Sequence, residues 1–292
     1  METLLNILAD AAIDTLKLLP FLFLCYLLME FIEHKAGEKS VAAIRGARNA
    51  GPFIGALLGA FPQCGFSAAA ATLYAGRVVS IGTLIAVFLA TSDEMLPIFI
   101  AEQVDPAVIL RILGAKVAIG MAMGFLIDLV LRLTHRDPHP DMDIHALCEE
   151  DDCDCEDEDE HHGIVRSALH HTLQVTVFIF LITLALNAAI ELVGEDTFSA
   201  FIAGNAALSI VASAIVGLIP NCAASVVIAE LYLEGTLGAG AMMSGLLVSA
   251  GIGLLVLLRT NRDWRETAFI IAFLLLCGIL WGFFIQAAGI TF

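Results

Sequence analysis

The chain has 292 residues, 59% of them apolar and only 15% charged, with a mean hydropathy of +0.88. Soluble domains run at roughly 45–50% apolar and about 25% charged, so an ordinary water-soluble domain is excluded and a polytopic membrane protein is indicated. The formal charge of −17 reflects 31 acidic against 14 basic residues, but 13 of those acids sit in residues 134–163 with a single Arg. Outside that segment 18 acids face 13 basic residues, so the acidity belongs to one stretch, and nucleic acid is not an expected partner.

Apolar stretches fall at 11–32, 51–76, 80–101, 107–132, 165–191, 206–233, 237–258 and 266–292. Most reach the roughly 20 residues a spanning helix needs. The first is preceded by acids and lacks a basic flank, so no cleavable signal is expected. The second is cut at Phe61-Pro62-Gln63-Cys64-Gly65 and the sixth at Ile219-Pro220-Asn221-Cys222-Ala223. Pro removes a backbone donor and ends the preceding helix. Each half is then too short to cross a bilayer alone, at roughly 20 Å.

Sliding the chain by 158 residues places Pro62 on Pro220, Cys64 on Cys222, Ser67 on Ser225, and Leu73-Tyr74 on Leu231-Tyr232, with 10 identities in 44 over residues 51–94. Gly120, Gly124 and Phe125 fall on Gly278, Gly282 and Phe283. The chain reads as an internal repeat. Charge distinguishes its halves. Loop 34–50 carries Lys35, Lys39, Arg45 and Arg48, whereas its counterpart 192–208 carries no basic residue; loop 101–108 carries none, whereas 259–266 carries Arg259, Arg262 and Arg265. Basic loops are cytoplasmic, so equivalent loops lie on opposite sides, the signature of inverted-topology repeats.

The expected fold is therefore an all-α integral membrane protein of two inverted repeats, each with three spanning helices and one re-entrant broken-helix hairpin. Residues 1–133 form repeat 1, 134–163 a cytoplasmic acidic loop and 164–292 repeat 2, with both termini extracytoplasmic. Irregular backbone at membrane depth is tolerated only around a protein-lined site, so the two hairpin tips are expected to meet near the midplane.

Each tip combines Pro, an amide, a Cys and a Ser. Gln63, Cys64, Ser67, Asn221, Cys222 and Ser225 are the candidate substrate-binding residues. Carbonyls, amide oxygens and thiolates suit a cation, whereas helix N-termini and hydroxyls suit an anion. Thr91-Ser92-Asp93-Glu94 lies in the middle of the third stretch, where ionisable side chains are functional by default. Asp93 and Glu94 are candidates for metal binding or a coupling proton, or for an ion pair with Lys116. Lys116 also suits an anion, and Glu230 is a candidate gate or proton site. The glycine pairs Gly55/Gly59, Gly120/Gly124 and Gly278/Gly282 read as close helix packing. Of the seven Cys, Cys25, Cys64, Cys222 and Cys277 lie in apolar stretches, which does not make a disulfide framework.

The loop 134–163 holds His135, His139, His145, Cys148, Cys153, Cys155, His161 and His162 among its acids. It cannot form a packed core. Imidazole and thiolate select borderline or soft divalent metals, so a loose, exchangeable metal site is expected there.

The motifs Phe61-Pro62-Gln63-Cys64-Gly65-Phe66-Ser67, Thr91-Ser92-Asp93-Glu94 and Gly217-Leu218-Ile219-Pro220-Asn221-Cys222-Ala223-Ala224-Ser225 together resemble those of the bacterial family of manganese transporters or ten-helix heavy-metal exporters, similar in character to arsenical permeases. The resemblance covers nearly the whole chain outside the acidic loop. It implies an inner-membrane efflux permease without a nucleotide-hydrolysing domain, and no Gly-x-x-x-x-Gly-Lys-Ser/Thr loop occurs in the chain.

The sequence thus points to a secondary transporter that exports a divalent, manganese-like ion against proton entry. No cofactor is expected beyond the metal as cargo or loop ligand. An exporter of arsenical, phosphate or a related oxyanion, and a channel or membrane-bound metal sensor, are the alternatives. The expected partners are the bilayer, a metal ion or small inorganic anion, and, through Gly-lined faces, a second copy. An intramembrane enzyme is disfavoured because Cys64 has no His base at its depth.

Overall fold

The computed structural model describes residues 50–134 apart from Asp93 and Glu94, residues 160–193 and 206–292 apart from Arg262, and scattered helical positions between Leu8 and Leu27. From residue 51 onward the described residues form eleven helices, and no strand occurs among the described residues. In chain order they are α1 (Gly51–Gly59), α2 (Cys64–Ala75), α3 (Ile81–Ala90), α4 (Met95–Ala101), α5 (Pro106–Leu133), α6 (Glu160–Val193), α7 (Ala206–Gly217), α8 (Cys222–Leu233), α9 (Ala239–Val248), α10 (Ile252–Thr260) and α11 (Trp264–Ala287). The expected acidic loop lies outside the described residues until Glu160, where α6 begins.

Pro62 and Pro220 interrupt the chain where expected, giving the pairs α1/α2 and α7/α8. Helices of 9 and 12 residues cover only roughly 14–18 Å at 1.5 Å per residue. Local bonding at the two tips matches at an offset of 158. The Gln63 amide donates to the Phe61 carbonyl at 2.8 Å, and the Asn221 amide to Ile219 at 2.7 Å. Ser67 Oγ donates to the Cys64 carbonyl at 2.9 Å, and Ser225 Oγ to Cys222 at 2.8 Å. The second half-helices also end alike, at Arg77 (φ 60°) and Gly235 (φ 77°), 158 residues apart.

Two of the expected spanning stretches are interrupted in the structure. The stretch 80–101 stops at Ala90 and restarts at Met95, and 237–258 stops at Val248 and restarts at Ile252. No Pro causes either break. Thr91 leaves the helix at φ −53°, ψ 127°, and its hydroxyl donates to the Val87 carbonyl at 2.8 Å. Such side-chain bonds offer the backbone an alternative to the next helical bond. In the second half Gly251 takes φ 54°, ψ −141°, which a side chain would resist.

The broken helices form the interior. Every residue of α3 and of α9 is buried, as befits helices that are apolar all round. The run Ala239–Thr260 is almost wholly buried, whereas α11 is mostly exposed and carries Leu276, Leu280 and Phe284 on its open face. Among the described residues five runs are long and apolar enough to cross a membrane: Ile81–Ala101, Pro106–Leu133, Ala168–Ala185, Ala239–Thr260 and Trp264–Ala287. The chain is a multi-pass membrane protein with broken helices inside and intact, lipid-compatible helices outside.

Close approach needs small residues, and these again come in matched pairs. A Cβ on Gly120 would lie 2.8 Å from the Ala86 carbonyl oxygen; on Gly278, 2.7 Å from that of Ser244. Gly82 and Gly124 face each other between α3 and α5, as Gly240 and Gly282 do between α9 and α11. Asp128 adds a polar tie: it accepts from Ser80 Oγ at 2.7 Å and from the Gly82 amide at 2.8 Å, at the positive end of α3. Its counterpart 158 residues on is Gln286, whose side chain borders Gly238 and Gly240.

Glycine substitutions separate packing from propensity. Gly114 has open space beside it, so Gly114→Ala should stabilise the detergent-solubilised protein by about 0.5–1 kcal/mol through helix propensity. Gly120→Ala, on the same helix, should destabilise it by about 1–3 kcal/mol through overpacking against α3. Thermal unfolding in one detergent checks both.

Candidate functional site

The breaks do not lie apart from the hairpin tips. The second helix of each Pro-interrupted pair packs on the broken helix of the other half of the chain: α2 on α10, and α8 on α4. Where α8 meets both breaks there is a cavity of about 10 Å³, lined by Thr91, Ser92, Met95, Lys116, Cys222, Ser225, Leu246, Ser249 and Gly251. That is room for about one water-sized guest. Its wall holds hydroxyls, a thiol, one fixed ammonium group and the ends of broken helices.

Lys116 on α5 is 1% exposed. Its Nζ donates to the Thr91 carbonyl at the C-terminal end of α3 and, at 2.9 Å, to the Leu246 carbonyl near that of α9. One side chain therefore links the two broken helices, one from each half. A buried charge is tolerable only with such partners.

At the other tip Ser67 packs directly against backbone. Ser67 is 1% exposed, and a Cβ at Gly253 would lie 2.7 Å from Ser67 Cβ and 2.8 Å from its carbonyl oxygen. Met95 stands at the position equivalent to Gly253, so the thioether occupies one crossing while direct backbone contact closes the other. Of the tip residues singled out in the sequence, Cys222, Ser225 and, across the cavity, Lys116 come together. Cys64 is half-buried outside this cavity, Gln63 is exposed and makes no capping bond, and Asn221 caps α8 by accepting from the Ala223 amide at 3.0 Å. Glu230 is exposed on α8.

Asp93 and Glu94 lie outside the described residues, as do His135, His139, His145, Cys148, Cys153 and Cys155. His161 and His162 fall within α6, but their side chains are not described. Among the described residues, no three His, Cys, Asp or Glu side chains stand close enough to hold a metal ion. Met95, Leu246, Ser249 and Gly251 were not singled out by sequence reasoning as site residues. Gly251-Ile252-Gly253, and Pro97 in the first turn of α4, were the signals that helices start anew there.

A second polar cluster fastens the halves at one end. Arg77, just past α2, donates to Glu266 Oε2 at 2.9 Å, with the side chains 12% and 9% exposed. Glu266 lies in the first turn of α11 and also accepts from Asn261 Nδ2 at 3.3 Å. The Arg77 guanidinium sits 5.5 Å from the centroid of the Tyr74 ring. At the equivalent end of the other hairpin, Tyr232 stacks on Phe99 at 6.3 Å, and its hydroxyl donates to the Phe292 carbonyl at 3.3 Å.

Interrupted apolar helices, crossed between two halves around a small polar cavity, define a membrane protein of the transport type. The chain belongs to the ArsP_2 family, described as "Putative, 10TM heavy-metal exporter", whose family model matches residues 1–171 and 159–291. No curated protein and no solved structure matches the chain.

The cross-repeat ion pair should matter to stability because removing one partner strands a mostly buried charge. Arg77→Ala should cost about 2–3 kcal/mol in thermal or denaturant unfolding. Adding Glu266→Gln to it should recover part of that loss, since no carboxylate is then left unpaired.

Proposed function

We propose that the chain is a secondary active exporter of a divalent, manganese-like heavy-metal ion, driven by proton entry, with its cargo site where the second hairpin tip meets the two helix breaks. The convergence of α8 with the breaks of both halves on one cavity carries this reading. Unwound backbone and half-helix ends supply ion ligands in transporters of this kind. The family's description as a heavy-metal exporter supports the cargo class.

On this reading Cys222 and Ser225 contact the cargo. Asp93 and Glu94, which directly follow the cavity residues Thr91 and Ser92 in the chain, supply charge and the coupling proton. The Cys222 thiolate suits a softer ion than Mn²⁺, so zinc-like cargo fits the thiol better. Gln63, Cys64 and Ser67 take the equivalent role when the first hairpin tip opens and the second closes. The acidic loop collects metal on the cytoplasmic side.

The halves are read as inverted repeats. The matched hairpin bonds and glycine contacts at an offset of 158 support the repeat. Two contacts support the orientation deduced from charge. Arg77–Glu266 joins segments assigned to the cytoplasmic face, and the Tyr232–Phe99–Phe292 contacts join segments assigned to the opposite face.

Lys116 favours a second reading in which the cargo is an anion, such as an arsenical or phosphate. A buried ammonium and the N-termini of α8 and α10 border the cavity.

Purified protein in proteoliposomes separates the readings. Efflux of Mn²⁺, Zn²⁺, Co²⁺ or Fe²⁺ that rises with an imposed pH gradient is the expected result. Movement of phosphate or arsenite with no metal flux would favour the anion reading. Cys222→Ala should lower flux of the softer ions by about tenfold or more, the loss of one good ligand. Asp93→Asn should abolish the response to the pH gradient. Deleting residues 137–162 should leave most transport intact, whereas a metal sensor would lose its function.

A further inference from the structure

The C-terminal carbonyls of a helix have no intrahelical donors and carry the negative end of its dipole. In the interior of this protein α3 and α9 end close together, and both ends need positive charge or donors. Lys116 Nζ meets this need, donating to the Thr91 and Leu246 carbonyls. Carbonyl ends of broken helices are also where ion-coupled transporters of the broken-helix type hold a monovalent cation. The position 158 residues after Lys116 is Leu274, apolar and 1% exposed, so the ammonium is present in one half only.

We propose that the Lys116 ammonium is a tethered replacement for a free coupling cation. It occupies a latent monovalent-cation site formed by the carbonyl ends of α3 and α9. The site holds the two halves together without recruiting Na⁺ or K⁺, and it accepts a small primary ammonium ion once the lysine is shortened. Lys116 is here a positioning residue that acts through the two broken helices. This inference deepens the exporter reading and rests on it for its transport consequence, but the cation site itself does not depend on what is transported.

Lysine-to-alanine truncation removes three carbons and the nitrogen, the size of n-propylammonium. The test is the thermal midpoint of purified Lys116→Ala in about 0.15 M choline chloride, n-propylammonium chloride or NaCl, with neutral n-propanol as the volume control. Metal efflux is followed in the same salts. The expected result is a lowered midpoint and about tenfold or greater loss of flux in choline, with both recovered in n-propylammonium and not in n-propanol. Equal recovery by n-propanol would reduce the role of Lys116 to filling space and overturn the proposal. So would a Lys116→Ala protein that melts and transports like the wild type in choline, or one that folds but responds to no salt. If Lys116→Ala does not fold, the volume-matched neutral variant Lys116→Met decides: a wild-type midpoint overturns the proposal and a lowered one supports it. Recovery of the midpoint by n-propylammonium, with no metal flux even in the wild type, would leave the cation site standing and sink the exporter reading instead.

Discussion

Water is absent from the interior of a bilayer, so every backbone group freed by a broken helix must find its partner within the protein. Among the described residues four apolar runs are broken, at 60–63, 91–92, 218–221 and 249–251. The arrangement of its interior follows from satisfying those ends. Short bonds within each tip take up part of the demand, as when the Gln63 and Asn221 amides donate two residues back. The rest is met across the halves. Each hairpin's second helix packs on the other half's broken helix, and Lys116 answers the carbonyl ends of α3 and α9 with one charge.

Packing then fixes how closely these pieces sit. Without a hydrophobic force between helices in lipid, association relies on close contact through small residues. Gly82, Gly120 and Gly124 bring α5 onto α3, and Gly240, Gly278 and Gly282 bring α11 onto α9 with nearly the same distances. The outer helices thereby brace the buried ones. Departures from the match are chemical: Asp128 against Gln286, Lys116 against Leu274, Met95 against Gly253. One half has an acid at the N-terminal end of its broken helix and a cation near the C-terminal end; the other has an amide and a leucine.

The interruptions at Pro62 and Pro220 were legible because Pro leaves no choice to the backbone. The gapless offset was legible because Pro, Cys and Ser recur at fixed spacing. The other two breaks were hidden, since neither interruption contains Pro and the polar run Thr91-Ser92-Asp93-Glu94 read as chemistry within a helix rather than as a helix end. Hydropathy reports burial in lipid or protein, not continuity of a helix. A glycine at 251 and hydroxyls at 91 and 92 carry the information, yet such residues are common in membrane helices as packing elements. The cavity was therefore expected between the two tips, whereas its lining comes from one tip and both breaks. Asp128 escaped notice because it lies in the last turns of a long apolar helix, where an acid reads as an interfacial residue.

The contacts between halves differ in how near they lie to water, and that difference bears on how such a molecule moves. Arg77 and Glu266 retain some exposure, so water can resolvate both charges as they separate, and the Coulomb term between them weakens in the higher dielectric. The Tyr232 end is held by one ring contact and one hydroxyl bond, which also part at modest cost. Lys116 has no such recourse. With 1% exposure, its bonds to α3 and α9 can only be kept or exchanged for other protein or cargo groups. On the exporter reading, any rocking of one half against the other must keep or replace the buried ammonium's bonds while the two more exposed ends part.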